Sequence, residues 1–291
     1  MKKLLTAVFA ALLMAGCGEV VDMDKLQNRD GVVYLPDEDT PFTGPAEGKP
    51  FVIADLSMDM LWVKPGSFQM GSSTTEVGRG KNETRHTVTL TEGYWLGKHE
   101  VTQSQWEKVM GDNPSDYKGG DKPVERVSWH DVTSFCEKLT EQESKAWRLP
   151  AGMSYQLPTE AQWEYACRAG TRTAYAFGDE LTAKNVNSAH DGGFGAGLQR
   201  TDNVGEYPAN PWGFHDMHGN VREWCADWYG DYPTGAVSDP VGPAVGSGRV
   251  KRGGALYHTA FRARSADRCE LHFSFNRPTL GFRLSLRPTS K

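Results

Sequence analysis

The sequence predicts an α+β fold with little regular secondary structure, and three observations point that way. Helix signals concentrate in the first 170 residues, where three amphipathic stretches occur, two of them opened by a Thr cap. Short runs that alternate between apolar and polar residues are scattered through the chain. The second half is rich in Gly, Asn, Asp and Pro and carries few helix signals. With 32 Gly, 16 Pro and 9 Trp in 291 residues, the core should be built from bulky rings more than from long Leu/Ala helices.

The elements follow in order. "LWVKPGSFQMGS" alternates like a strand running into a glycine turn, and "HTVTLTEGYWLGKHEVT" adds Thr, Val and aromatic strand character. Thr102 is a natural cap for a helix with Trp106, Val109 and Met110 on one face. Trp129, Val132, Phe135, Cys136 and Leu139 recur at helical spacing in the next helix. Thr159, with Gln162 three positions on, opens a third helix that Gly170 stops.

The ends are distinctive. Lys2 and Lys3 precede an apolar stretch, Leu4 to Met14, too short to span a bilayer and shaped like an export signal. Leu13-Met14-Ala15-Gly16-Cys17 resembles the lipobox of bacterial lipoproteins, which implies cleavage after residue 16 and lipidation of Cys17. Gly18 rather than Asp follows, so the resemblance favours an outer-membrane or surface location, with the lipid anchor as the membrane contact. The organisation expected is a signal peptide at 1–16, a polar tether with short strands at 17–50, and one domain at 51–291. "NRDGVVYLPDEDTPFTG" in the tether reads as strand, turn and strand.

The formal charge of −5 becomes −7 once Lys2 and Lys3 leave with the signal, which gives no support for nucleic-acid binding. Export leaves Cys136, Cys167, Cys225 and Cys269 in an oxidising compartment. Four cysteines allow three complete pairings, or buried free thiols, and spacing does not choose among them.

Several chemistries lack their residues. There is no Cys-x-x-Cys, no His-Glu-x-x-His and no Gly-x-Ser-x-Gly, and "DGGFGAG" lacks the Gly-Lys-Ser/Thr of a phosphate loop. In "DMHGNVREWCADWYG" (216–230), Asp216 and Glu223 flank a Gly219-Asn220 turn. Hard oxygens around a tight turn suit calcium, and the same residues equally suit an aromatic core whose acids cap turns.

Seven blocks occur in order: "SFQMGS", "HEVTQSQWEKV", "PVERVSWHDVTSFCEKL", "QLPTEAQWEYACRAGT", "NPWGFHDMHGNVREWCADWY", "RVKRGGA" and "LGFRLSL". Together they resemble the formylglycine-generating enzyme, or sulfatase-modifying factor, domain over about residues 56 to 287. The resemblance implies a C-type lectin-like fold with bound calcium. One calcium site of the family maps onto Asp216, the carbonyls of Gly219 and Val221, and Glu223. A second maps onto Asn187 with carbonyls at Ser188 and Leu198, but Ala196 stands where its acid belongs.

The enzymes of that family hold copper through two cysteines after the Gly-Gly block, because soft thiolates stabilise Cu(I). Here His258 stands at the first position and Ala263 is near the second, with Cys269 alone further on. The resemblance therefore carries the fold and not the copper site, and no catalytic residue is assigned. The segment from Ala255 to Phe275 resembles the variable proteins of diversity-generating retroelements, which change asparagine codons at their adenines. That chemistry cannot yield Trp, Gln, Glu, Lys or Met. These five make up 59 of 291 residues overall but only 1 of 21, Glu270, in the segment.

The expected ligand-binding residues are Leu256, Tyr257, His258, Thr259, Phe261, Arg262, Ala263, Asp267, Leu271, His272, Phe273 and Phe275. Aromatics mixed with Arg and His are typical of recognition surfaces. An inward-outward alternation in "ALYHTAFRARS" would instead make part of the segment core strand. The function expected is a lipid-anchored surface protein that binds a ligand, a protein by the character of this surface. An exported oxidase or protein-modifying enzyme of the formylglycine-generating type, and a structural or regulatory partner in an envelope complex, are the alternatives.

Overall fold

The computed structural model describes residues 45–188 and 200–289 in full, and the backbone of 27–29 and 32–34. The signal sequence, Cys17, the glycine-rich "DGGFGAG", Ala196 and Leu198 lie outside the described residues. In the tether, β1 (Gln27–Arg29) pairs antiparallel with β2 (Val32–Tyr34).

The domain begins at β3 (Phe51–Ile53), followed by β4 (Met58–Val63), β5 (Gly66–Met70), β6 (His86–Leu90) and β7 (Tyr94–Gly97). Three helices follow: α1 (Gln103–Met110), α2 (Trp129–Lys145) and, after β8 (Met153–Gln156), α3 (Glu160–Arg168). Each opens with a reciprocal capping box, Thr102 with Gln105, Ser128 with Asp131 and Thr159 with Gln162, which satisfies two otherwise unpaired amides. Among the described residues no α-helix follows α3. The rest is loops and short strands: β9 (Arg222–Trp228), β10 (Val237–Ser238), β11 (Arg249–Arg252), β12 (Cys269–Leu271), β13 (Leu280–Gly281) and β14 (Ser285–Pro288).

Both ends of the domain meet in one five-stranded sheet of order β3-β4-β7-β14-β8, so β14 closes against β7 and β8. The apolar faces of α1 and α2 pack with this sheet around Met60, Trp95, Leu284 and Phe282. Trp106 stacks on Phe135 with centroids 5.4 Å apart. A second core joins α3 to the three-stranded sheet β10-β6-β5 through Trp163, Val88 and Phe214. The four-stranded sheet β12-β11-β9-β13 carries the glycine-turn stretch and the segment that follows Gly-Gly.

The loop-rich half is held by charge as well as by apolar packing. Arg168, Arg222, Arg252, Arg264, Arg268 and Arg283 are at most 4 % exposed, and each pairs with a carboxylate. Burial pushes the Glu160 carboxyl up, but Arg268 and Arg252 overcome this and hold it below the usual range. No described helix is long and apolar enough to cross a membrane.

Candidate ligand-binding surface

The segment after the paired glycines is a pinned loop rather than an alternating strand. Gly254 has φ +75°, and a Cβ there would lie 2.8 Å from the Ala263 Cα, so only glycine lets the loop fold back this closely. The chain turns through a single 3-10 turn, Ala260–Ala263. It is then fixed by three charged residues. Arg264 binds Glu83 through Nη1 (2.8 Å) and Nη2 (2.6 Å), Glu76 (2.6 Å) and the Gly78 carbonyl (2.9 Å). Asp267 accepts from Arg222 at 2.8 Å, and Arg268 binds Glu160 at 2.7 Å and the Gly230 carbonyl at 2.8 Å.

This corrects part of the sequence expectation. Leu256 (1 % exposed), Ala263 (0 %) and Asp267 (2 %) point inward, so they support the surface rather than form it. Leu256 and Ala263 are apolar groups drawn into the core, and Asp267 neutralises buried Arg222. Thr259, Phe261, Arg262, His272 and Phe275 are exposed, and Tyr257, His258, Leu271 and Phe273 are half-buried. They form two patches. In the first, Tyr257 exchanges a hydroxyl hydrogen bond with Tyr117, a partner that no local sequence signal revealed. Burial, then the bond to Tyr257, pushes the Tyr117 hydroxyl up to about 12.

In the second patch, His272 stacks on Phe273 at 4.2 Å, and Phe273 meets His130 at 5.0 Å and Trp228 at 5.7 Å. Beneath it the Arg249 guanidinium lies between Trp129 (3.9 Å) and Trp228 (3.6 Å), a rigid cation–π layer.

His258 stays neutral. Burial lowers its pKa to about 4, with Arg222 and Lys251 adding positive charge nearby, and its Nδ1 has no partner among the described residues. Cys136, Cys167 and Cys225 are buried free thiols and Cys269 a half-buried one, so none of the three complete pairings is formed.

The glycine-turn stretch is core and acid cluster together. Glu223 Oε2 accepts from Trp163 Nε1 and Arg283 Nε, both at 2.7 Å, and Oε1 accepts from Arg283 Nη2 at 2.8 Å. That leaves one lone pair, on Oε1. Asp216 Oδ2 accepts from the Gly205 amide at 2.7 Å. Glu100, which the sequence did not single out, takes Asn220 Nδ2 on Oε1 at 3.2 Å, while its buried Oε2 has no partner among the described residues. Burial pushes the Asp216 carboxyl up to about 7. Burial, with Asp216 and Glu223, raises Glu100 as well. Three buried carboxylates thus share the Arg283 cation. The donor set is all hard oxygen with excess negative charge, which fits calcium. Among the described residues no three His, Cys, Asp or Glu side chains converge as a metal group, so an ion here would depend on the Gly219 and Val221 carbonyls. At the second expected site, Asn187 Oδ1 and Ser188 Oγ are buried and have no partner among the described residues, and the same holds for Thr201 Oγ1.

A sheet closed by its first and last strands, a loop-rich second half and a pinned terminal segment define a C-type lectin-like protein. The chain belongs to the sulfatase-modifying factor enzyme 1-like domain family, whose model matches residues 53–287. It is similar in structure to Treponema denticola variable protein 1, with a TM-score of 0.72 and 29 % identity over 82 % of this chain and 99 % of that one. A chaperone protein, LppX, from Paenibacillus barcinonensis is 33 % identical, with 60 % of this chain and 73 % of that protein aligned. The mouse formylglycine-generating enzyme is 31 % identical over 68 % of this chain, and the alignment spans 52 % of the enzyme.

Proposed function

We propose that this protein is a ligand-binding member of its family, and that residues 257–262 and 271–275 form the binding surface. The observation that carries this reading is the division of labour within the segment. Arg264, Asp267 and Arg268 fix the backbone from inside, while Thr259, Phe261, Arg262, His272 and Phe275 are exposed and Tyr257 and His258 lie half-buried among them. A surface ordered before contact loses less entropy on binding. Likeness to a variable protein and to a chaperone supports the reading. The ligand class proposed is a protein, met by aromatic and basic side chains. Cys17 is proposed as the lipid anchor, at the outer membrane or cell surface, and calcium as a structural ion held by Asp216, Gly219, Val221 and Glu223.

Two experiments test this. A library randomised at 257–259, 261, 262, 272 and 275 should stay folded in most members and yield binders to extracellular protein arrays. General misfolding would end the proposal. In the flanking DNA, a near-repeat of the codons for 255–275 that differs at adenines would support diversification.

One observation favours a second reading, an oxidase. His258 is neutral and its Nδ1 is unengaged, as a metal ligand requires, at the position of a copper cysteine in the enzymes. Stoichiometric Cu(I) binding with aldehyde formed on a cysteine peptide would establish it over the binding role.

A further inference from the structure

Away from the 255–275 segment, strands β5 and β6 and the C-terminal end of α3 border an open cavity of about 280 Å³. One wall is aromatic. Phe68 and Tyr165 lie 5.0 Å apart, and Tyr165 meets Trp212 edge-on at 4.9 Å. Trp212 keeps 37 % of its surface exposed. Phe68 is tilted 39° from Tyr165 and Trp212 stands at 81° to it, so the rings offer single faces and not a parallel slot. Polar groups stand beside them. Gln69 commits its amide nitrogen to Thr87 Oγ1 at 2.8 Å, which leaves its amide oxygen as an acceptor.

The charges are unequal. Arg168 reaches the cavity but is engaged by Glu164 and the Gly71 carbonyl, and Glu76 is engaged by Arg264. Arg85 and Arg172 line the same space, are exposed, and make no ion pair or hydrogen bond among the described residues. The cavity therefore presents two free guanidinium groups.

We propose that this cavity binds an anionic sugar residue. A pyranose has an apolar C–H face that can lie on Trp212 and hydroxyls that can meet Gln69, while its anionic group is taken by Arg85 and Arg172. A flat aromatic acid would lose the match, since it brings no hydroxyls for Gln69. The volume sits at the small end of ligand pockets, roughly 300 Å³ upward, enough for one ring and not a chain. The site is distinct from the surface proposed above, so either can stand without the other.

Calorimetric titration of the full chain tests it with four probes: glucuronate, glucose 6-phosphate, glucose and benzoate. Saturable binding of glucuronate, glucose 6-phosphate or both is expected, with glucose weaker by about tenfold or more for want of a charge-assisted contact. The first two probes separate a carboxylate from a phosphate as the anion. Arg85→Gln with Arg172→Gln should abolish the preference for the charged sugars. Trp212→Ala should weaken all sugars alike. Both arginines are exposed, so an unchanged thermal midpoint keeps the arginine variant informative even if Trp212→Ala misfolds. Equal binding of glucose, tighter binding of benzoate, or no saturation by either anionic sugar at 50 mM would overturn the proposal.

Discussion

Arg283 grips Glu223 with two parallel hydrogen bonds, 2.7 and 2.8 Å long, between side chains that are both 0 % exposed. The pair is 60 residues apart in sequence and joins the "LGFR" block to the glycine-turn stretch. Removing one member leaves the other charged and dry. Arg283→Met should cost about 3–5 kcal/mol in urea denaturation, and Glu223→Leu in the same chain should recover part of that loss.

The inward and outward halves of the 255–275 segment should respond oppositely to truncation. Leu256→Ala removes a fully packed side chain and should cost about 2–5 kcal/mol. Thr259→Ala and Phe275→Ala, both at exposed positions, should stay within about 0.5 kcal/mol. Arg264→Ala should cost about 3–5 kcal/mol, because Glu83 and Glu76 lose their cation. Thermal and urea denaturation of the four variants decides whether this segment is a pinned surface or uniform core.

What could be read in advance follows from locality. The three helices and the caps at Thr102 and Thr159 depend on residues three or four apart, so their signals are short-range. Strand β8 escaped, because Met153–Gln156 is fixed by pairing with β14, more than 130 residues on. The inward turn of Leu256, Ala263 and Asp267 escaped for the same reason. It depends on Arg222 from β9 and on the close approach of Gly254, and neither is encoded in the segment's own pattern. Glu100 was likewise silent, since its partners Asn220 and Arg283 come from distant turns. Of the candidate site, the exposed aromatic and basic residues were legible from composition. The arginines that hold them in place were not, because a buried arginine looks like a surface one until its carboxylate is found.

His258 should give the segment a pH signature. Its ordinary pKa of 6.5 falls to about 4 in the folded protein. Between those values the unfolded chain binds more protons than the folded one, so stability falls as pH drops from about 6.5 towards about 4. In His258→Gln the loss over this range should be smaller. Histidine NMR titration should find the wild-type imidazole midpoint near pH 4. Lys251→Gln should raise that midpoint, because Lys251 is one of the two leading positive neighbours.

Calcium supplies the last prediction. Among the described residues there is one guanidinium for the three buried carboxylates Asp216, Glu100 and Glu223, and Glu100 Oε2 finds no donor. A divalent cation taking Asp216, the Gly219 and Val221 carbonyls and the remaining lone pair of Glu223 would offset that excess. At a hundredfold excess over Kd, calcium should add about 2.7 kcal/mol and raise Tm by about 5–10 °C, with EGTA reversing the shift. Magnesium should do less, since a site with only two side-chain ligands and two fixed carbonyls gives it no regular octahedron. Asp216→Asn should weaken the calcium response without abolishing folding, because the amide oxygen can still ligate while one negative charge is lost. If calcium leaves Tm unchanged in the wild type, Arg283 alone balances the cluster, with burial raising the Asp216 and Glu100 carboxyls.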